Sequence, residues 1–416
     1  MNKKIFIKNE LKLIWFCIII GAIAGIIFWL FLFLTNILTD LTWEGIPNQI
    51  GSVPYYPIIV CTLGGLAIGI LRKLFGNYPQ SMKEVVETVK KTGTYPYKKL
   101  FSIIILAMLP LVIGASVGPE SGMVAIIVAL CCWAGENLKF ARNSTVNYSK
   151  VGIAVTLSIL FHSPLFGIFH VEENEENDNN TEVLNTKSKF ITYAIAVVSG
   201  IIMYYLLSSL ICEVSEGFPS FETALPTGID YVVMIPYIIV GILFGIFFEK
   251  TEIIFKKLGN KLPSVFGELL AGIILGIIIC LVPVIKFSGE NQMKVLIEQY
   301  ALYVPIAMIG LAFLKIIITN MCINFGLKGG HIFPLIFSSV CLAYGISLLI
   351  FPSSSTHAVF AAAIITAATM GVSLKKPIAV TMLLFLCFPI RMFFWIFLSA
   401  TVSSYITNNK FLSIKE

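Results

Sequence analysis

Long apolar runs, separated by short breaks marked with glycine or proline, dominate the chain. Runs near 13–38, 54–75, 100–114, 120–135, 151–171, 190–212, 231–248, 264–284, 302–320, 332–351, 357–372 and 377–403 each predict a helix. A bilayer crossing takes roughly 17–25 apolar residues, so the shorter runs are expected to be re-entrant. Polar residues gather in 72–99 and 249–261, which read as charged cytoplasmic stretches, and in "EENEENDNNTE" (172–182), which reads as a solvated loop. The pattern predicts an all-α polytopic membrane protein built from broken and re-entrant helices.

Composition leaves few alternatives. Hydrophobic residues make up 57% of the 416 positions and charged residues 12%, with a mean hydropathy of +0.90. A water-soluble chain of this length could not hide so much apolar surface. The nine cysteines lie mostly inside apolar runs, without CxxC spacing, and read as small buried hydrophobes. The net charge of +6 says little about partners, and nothing points to nucleic acid. Its distribution says more. Lys3, Lys4, Lys8 and Lys12 precede the first run, which predicts a cytoplasmic N-terminus. No HExxH or HxxxH occurs, so no metal or other cofactor is expected. No Ser/His/Asp set or nucleotide loop sits in a suitable context, so the chain does not read as an enzyme.

Weak similarities recur at one spacing. "SMKEVVE" (81–87) matches "QMKVLIE" (292–298) at Met82/Met293, Lys83/Lys294 and Glu87/Glu298, each 211 apart. Pro119 and Pro334 are 215 apart, and Pro164 and Pro377 are 213 apart. A shared offset predicts two repeats, 1–212 and 213–416, inverted in the membrane if each makes an odd number of crossings. No soluble C-terminal regulatory domain is expected after the second.

The breaks carry the chemistry. "GASVGPE" (114–120) places two glycines, a serine and a proline before a helix, and "GLKGGHIFP" (326–334) repeats the design. "FGNYPQS" (75–81) offers a third such start. The first amides of a helix lack intrahelical acceptors and carry about half a positive charge, which suits an anion. Glycines let backbone approach the ion, and dipoles hold it loosely enough to pass.

These segments resemble the CLC family of chloride channels and chloride/proton antiporters. "FGNYP", "ASVGP" and "GHIFP" stand, in order, where that family has three glycine- and proline-marked helix starts. "FHSPLFGIFHVEE" (161–173) and "SLKKPIAVT" (373–381) resemble its paired Pro-containing segments. "GASVGPE", "FSGENQ" (287–292) and "GLKGGHIFP" together resemble a divergent bacterial branch of ion-transport proteins. The resemblance implies the CLC inverted-repeat fold and a homodimer with one pore per subunit in lipid. It also implies a small anion as substrate, chloride first, and a bacterial cell membrane as location. It places the anion against Gly76, Asn77, Ser116, Val117, Gly118, His331, Ile332 and Phe333.

Departures from the family pattern shape the functional expectation. The gating glutamate falls at Val117, the pore serine at Gly76 beside Asn77, and the third motif's phenylalanine at Ile332. The internal proton glutamate falls at about Asn174, after Glu172 and Glu173, and the pore tyrosine at about Ser413. Passive anion conduction without proton coupling is therefore expected. The alternatives are anion/proton exchange through Glu120 and Glu172 or Glu173, and export of fluoride or another anion. Glu120 itself reads either as a carboxylate stabilising a helix N-terminus or as a relocated gate.

Overall fold

The computed structural model describes residues 3–51, 53–137, 145–173, 186–212, 219–221, 226–263, 265–351 and 355–408. Asn174, Ser413 and most of the 172–182 tract therefore lie outside the described residues. Among the described residues the regular structure is helical. The chain runs α1 (Lys3–Asp40), a π-turn (Leu41–Gly45), α2 (Ile46–Ile50), α3 (Tyr56–Phe75), α4 (Met82–Thr92), α5 (Leu100–Val112) and α6 (Glu120–Asn137). It continues with α7 (Thr145–Leu160), α8 (Pro164–Glu172), α9 (Thr186–Leu210), α10 (Gly228–Gly259), α11 (Phe266–Leu281) and α12 (Glu290–Gln299). The last five are α13 (Pro305–Phe325), α14 (Ile332–Ile350), α15 (Ser355–Leu374), α16 (Pro377–Leu384) and α17 (Phe393–Asn408). Eight of the described helices are long and apolar enough to cross a membrane.

Several expected limits shift, for local reasons. The run 151–171 is two helices, because His162 adopts φ 52°, Ser163 caps the next turn and Pro164 opens α8. The run 377–403 is also two helices, divided around Pro389. The charged stretch 249–261 is helical through most of its length. Good helix formers carry α10 on to Gly259, where glycine and Asn260 stop it. Arg72, which opens the charged stretch 72–99 and ends the apolar run 54–75, lies in the last turn of α3.

The helix pairs expected to be related share local geometry. His162 (φ 52°) and Lys375 (φ 55°) stand 213 residues apart, each two residues before the proline that opens a short helix. The caps that follow also agree, with φ/ψ of −120°/95° at Ser163 and −134°/81° at Lys376. A non-glycine residue at positive φ is uncommon, so two at this spacing are a strong coincidence.

Two packing units divide the chain differently from the sequence halves. One comprises residues 1–37, 79–105 and 120–217, and the other 38–78, 106–119 and 218–416. In the first, α1 meets α9 where a side chain on Gly21 or Gly25 would strike the Ala196 or Gly200 carbonyl. In the second, α3 and α11 approach through Gly65, Gly69, Gly272 and Gly276, two GxxxG pairs. Small residues allow such backbone contact in lipid, where packing and not water drives helix association. α14 is buried on nearly all sides, as a helix apolar all round should be.

Candidate functional site

All eight residues expected to line the anion path lie in the second packing unit. The loop 113–119 between α5 and α6 forms its base. Gly114 turns the chain with φ +80°. A Cβ there would fall 2.9 Å from carbons of Trp43 and Lys286, so both conformation and space require glycine. Trp43 Nε1 donates to the Val112 carbonyl at 2.9 Å and fixes the end of α5. The Phe287 amide donates to the Gly114 carbonyl at 3.1 Å. The Lys286 ammonium covers the Trp43 ring at 4.2 Å, and burial pushes its pKa below the usual lysine range.

Beyond Gly114 the loop is held by the loop after α13. The Gly118 amide donates to the Gly330 carbonyl at 2.8 Å, and the Gly330 amide returns the bond to Gly118 at 2.7 Å. Ser116 Oγ and Thr319 Oγ1 share a buried hydrogen bond of 3.0 Å. Val117, 1% exposed, packs on Gly329, where a Cβ would lie 2.6 Å from the Val117 Cβ. The Val117 amide donates to the Ala115 carbonyl at 2.8 Å. In this conformation the amides of Val117 and Gly118 are thus engaged with protein carbonyls and do not face an anion.

The donors expected from α14 sit one step further on. His331 caps the helix, Ile332 and Phe333 occupy its first turn, and Pro334 follows without an amide hydrogen. The Ile332 and Phe333 side chains are buried. The His331 ring lies against Phe248 at 5.2 Å, and its Nε2 is 3.4 Å from Ser373 Oγ. Phe248 and Ser373 belong to α10 and α15, so the ring faces packed helices.

Asn77 joins this group through a residue the sequence reading did not single out. Arg72 Nη2 donates to Asn77 Oδ1, and Nη1 donates to Glu268 Oε1 and, at 3.3 Å, to the Gly326 carbonyl. Gly326 begins the same loop that ends at Gly330 and His331, and its φ of +112° ends α13. Arg72 thereby ties α3, α11 and that loop to Asn77. With its oxygen on Arg72, the Asn77 amide directs its NH2 group elsewhere, as a donor. Gly76 precedes it with φ +107°.

The structure brings Ser116, Val117 and Gly118 together with Gly330 and His331, and links Asn77 to the same loop. Glu120, Glu172 and Glu173 belong to the other packing unit. Glu120 is the first residue of α6 and is 2% exposed, so its carboxylate is not at a loop surface. Glu172 closes α8 and is half-buried, and Glu173 caps it, its amide bonded to the Phe169 carbonyl at 3.0 Å. Among the described residues no cluster of three metal-ligating side chains occurs.

Arg72, Glu268, Lys315 and Thr319 escaped the sequence reading. A signal existed for three of them: each is an ionisable residue inside or at the end of an apolar run, where charge is costly. Thr319 carried none, because a threonine in an apolar helix usually bonds its own backbone.

Comparison with known proteins adds the following. Residues 64–408 match the sequence profile of the family described as voltage-gated chloride channels. Chloride channel protein CLC-e of Arabidopsis thaliana is 24% identical over 378 residues, or 81% of this chain. The chain spans about half (50%) of that plant relative's length. YfeO of Escherichia coli, whose name goes no further than ion transport, is 23% identical over 341 residues, covering 78% of this chain and 76% of its own. The solved structure of a CLC-type fluoride/proton antiporter superposes with a TM-score of 0.71 at 16% identity, covering 98% of this chain and 96% of that one.

Proposed function

Because the chain belongs to the voltage-gated chloride channel family, we propose that it carries small anions, chloride first, passively across a membrane. The observation that carries the passive part is Val117. Where the family holds a proton-binding gate, this chain has an apolar side chain, 1% exposed and packed on Gly329. It can neither take up a proton nor compete with an anion. The donors in this reading are the first amides of α14 at His331, Ile332 and Phe333, with the Asn77 NH2 group and the Ser116 loop beside them. A helix start at membrane depth favours negative charge there without a fixed cation in contact.

The two-repeat organisation, 1–212 and 213–416, belongs to the same reading. It is supported by the matched φ values at His162 and Lys375. It is supported also by the reciprocal bonds between Gly118 and Gly330, which are 212 residues apart. These bonds join the two glycine loops that the repeat alignment sets against each other. A homodimer in a bacterial cell membrane, with a cytoplasmic N-terminus, completes the reading. The likeness to YfeO and the lysines before the first apolar run support it.

Proton-coupled exchange is the second reading, and one observation favours it. Glu120 is an ionisable group, 2% exposed, at the start of an apolar helix. Glu172 or Glu173 would serve at the other side, and fluoride would be the alternative cargo. Chloride efflux from proteoliposomes, recorded together with proton movement against an opposing pH gradient, separates the readings. Chloride flux without uphill proton movement is the expected result. Protons driven uphill by chloride would establish exchange instead. Absence of chloride flux, with flux of fluoride or nitrate, would replace the cargo.

A further inference from the structure

Lys315 is the eleventh of the 21 residues of α13, the middle of a helix long enough to cross a membrane. It is 0% exposed. Its ammonium donates to the carbonyls of Ile285 (2.8 Å) and Phe287 (2.6 Å) and lies 5.5 Å from the centre of the Phe337 ring. None of the described ion pairs includes it. A cation placed there without a carboxylate is expensive, and a positive charge at membrane depth marks an ion path by default.

Its surroundings place it beside the candidate anion path on two sides. One turn along α13, Thr319 bonds Ser116. One turn back along α14 from Phe337 is Phe333. Phe287, whose carbonyl Lys315 holds, donates its own amide to Gly114. Phe287 sits at φ +66°, a conformation unfavourable for a bulky side chain, which the two bonds to Lys315 help to hold.

We propose that Lys315 is a fixed cation of the anion path. It raises anion affinity through space, while the ion itself rests on backbone amides. The proposal builds on the anion reading above and assigns a specificity role to a residue outside the helix-start motifs. At an effective dielectric constant of about 20, a fixed unit charge near the ion is expected to change affinity on the order of tenfold. An ammonium bonded to carbonyls cannot swing into the ion's place, so it attracts the anion without trapping it.

The test is chloride titration of the purified full chain, with sodium gluconate keeping ionic strength constant. It reads the chloride concentration that half-maximally raises the melting temperature, and the KM for chloride in proteoliposome flux. Lys315→Met and Lys315→Gln are expected to raise both midpoints about tenfold. Lys315→Arg, which keeps the charge, is expected to stay within about twofold of the parent. The Gln variant separates charge from hydrogen bonding, and a parental midpoint in Lys315→Gln would overturn the proposal. Should neither neutral variant assemble, Cys341→Asp cancels the charge and leaves the ammonium in place. A raised midpoint there supports the proposal, and an unchanged one overturns it. A parent protein that answers to chloride while the variants match it loses only this inference. A parent that answers to no halide or nitrate loses the anion reading as well.

Discussion

Gly118 and Gly330 exchange hydrogen bonds through both their amides and both their carbonyls, at 2.8 and 2.7 Å. The pairing locks the two glycine loops side by side and stacks Val117 on Gly329. Backbone groups buried in an apolar layer must find partners, and here each loop is the other's partner. The contact leaves no room for a side chain at Gly329 on the second loop. Gly329→Ala is expected to destabilise by about 1–3 kcal/mol through overpacking. Combined with Val117→Ala, which makes space, it should cost less than the two single losses together. Thermal unfolding of the four proteins in chloride-free buffer measures this, and strict additivity would count against the contact.

The Ser116–Thr319 bond predicts an asymmetry between single and double substitution. Thr319→Val strands a buried hydroxyl on Ser116 and should cost about 1–3 kcal/mol. Ser116→Ala with Thr319→Val removes both polar groups and should recover most of that loss. Equal losses in the single and double variants, by the same unfolding assay, would mean that the bond contributes little.

Arg72 and Glu268 have side chains only 15% and 8% exposed. Breaking such a pair from one side leaves a buried charge, so Glu268→Leu alone is expected to cost about 3–5 kcal/mol. Arg72→Met with Glu268→Leu should regain much of it. Arg72 also orients Asn77, so the double variant is expected to show weaker chloride affinity despite its recovered stability. Stability and chloride KM, measured on the same preparations, should therefore part company.

Glu120 decides between the two transport readings. Under passive conduction Glu120→Gln leaves the pH dependence of chloride flux unchanged and alters the rate by no more than about twofold. Stability should fall by no more than about 2 kcal/mol, the upper worth of a buried carboxylate at a helix N-terminus. Loss of a pH-dependent flux in this variant would instead make Glu120 the proton carrier.

How much was legible beforehand varies by element. The helix starts at 82, 120 and 332 were marked in the sequence because glycine, proline and capping residues act locally. Ser81 and Glu84 form a capping box at the first of them. The break at His162 was harder to see. The apolar run continues through it, and only the Ser163–Pro164 pair signals a new helix. Arg72 was passed over for a different reason. It opens a charged stretch, and nothing local shows that Glu268, 196 residues away, takes it out of solvent.

By itself the sequence determined the solvent, the helical class and several of the places where helices start. These follow from composition, periodicity and local backbone chemistry, which do not depend on distant partners. Tertiary structure alone decided which loop amides are engaged, since Gly118 is satisfied by a residue 212 positions away. It alone paired Arg72 with Glu268, Ser116 with Thr319 and Lys315 with two carbonyls. In a layer without water every polar group must be satisfied by protein, and which protein group does so is a question of packing that no single segment can answer.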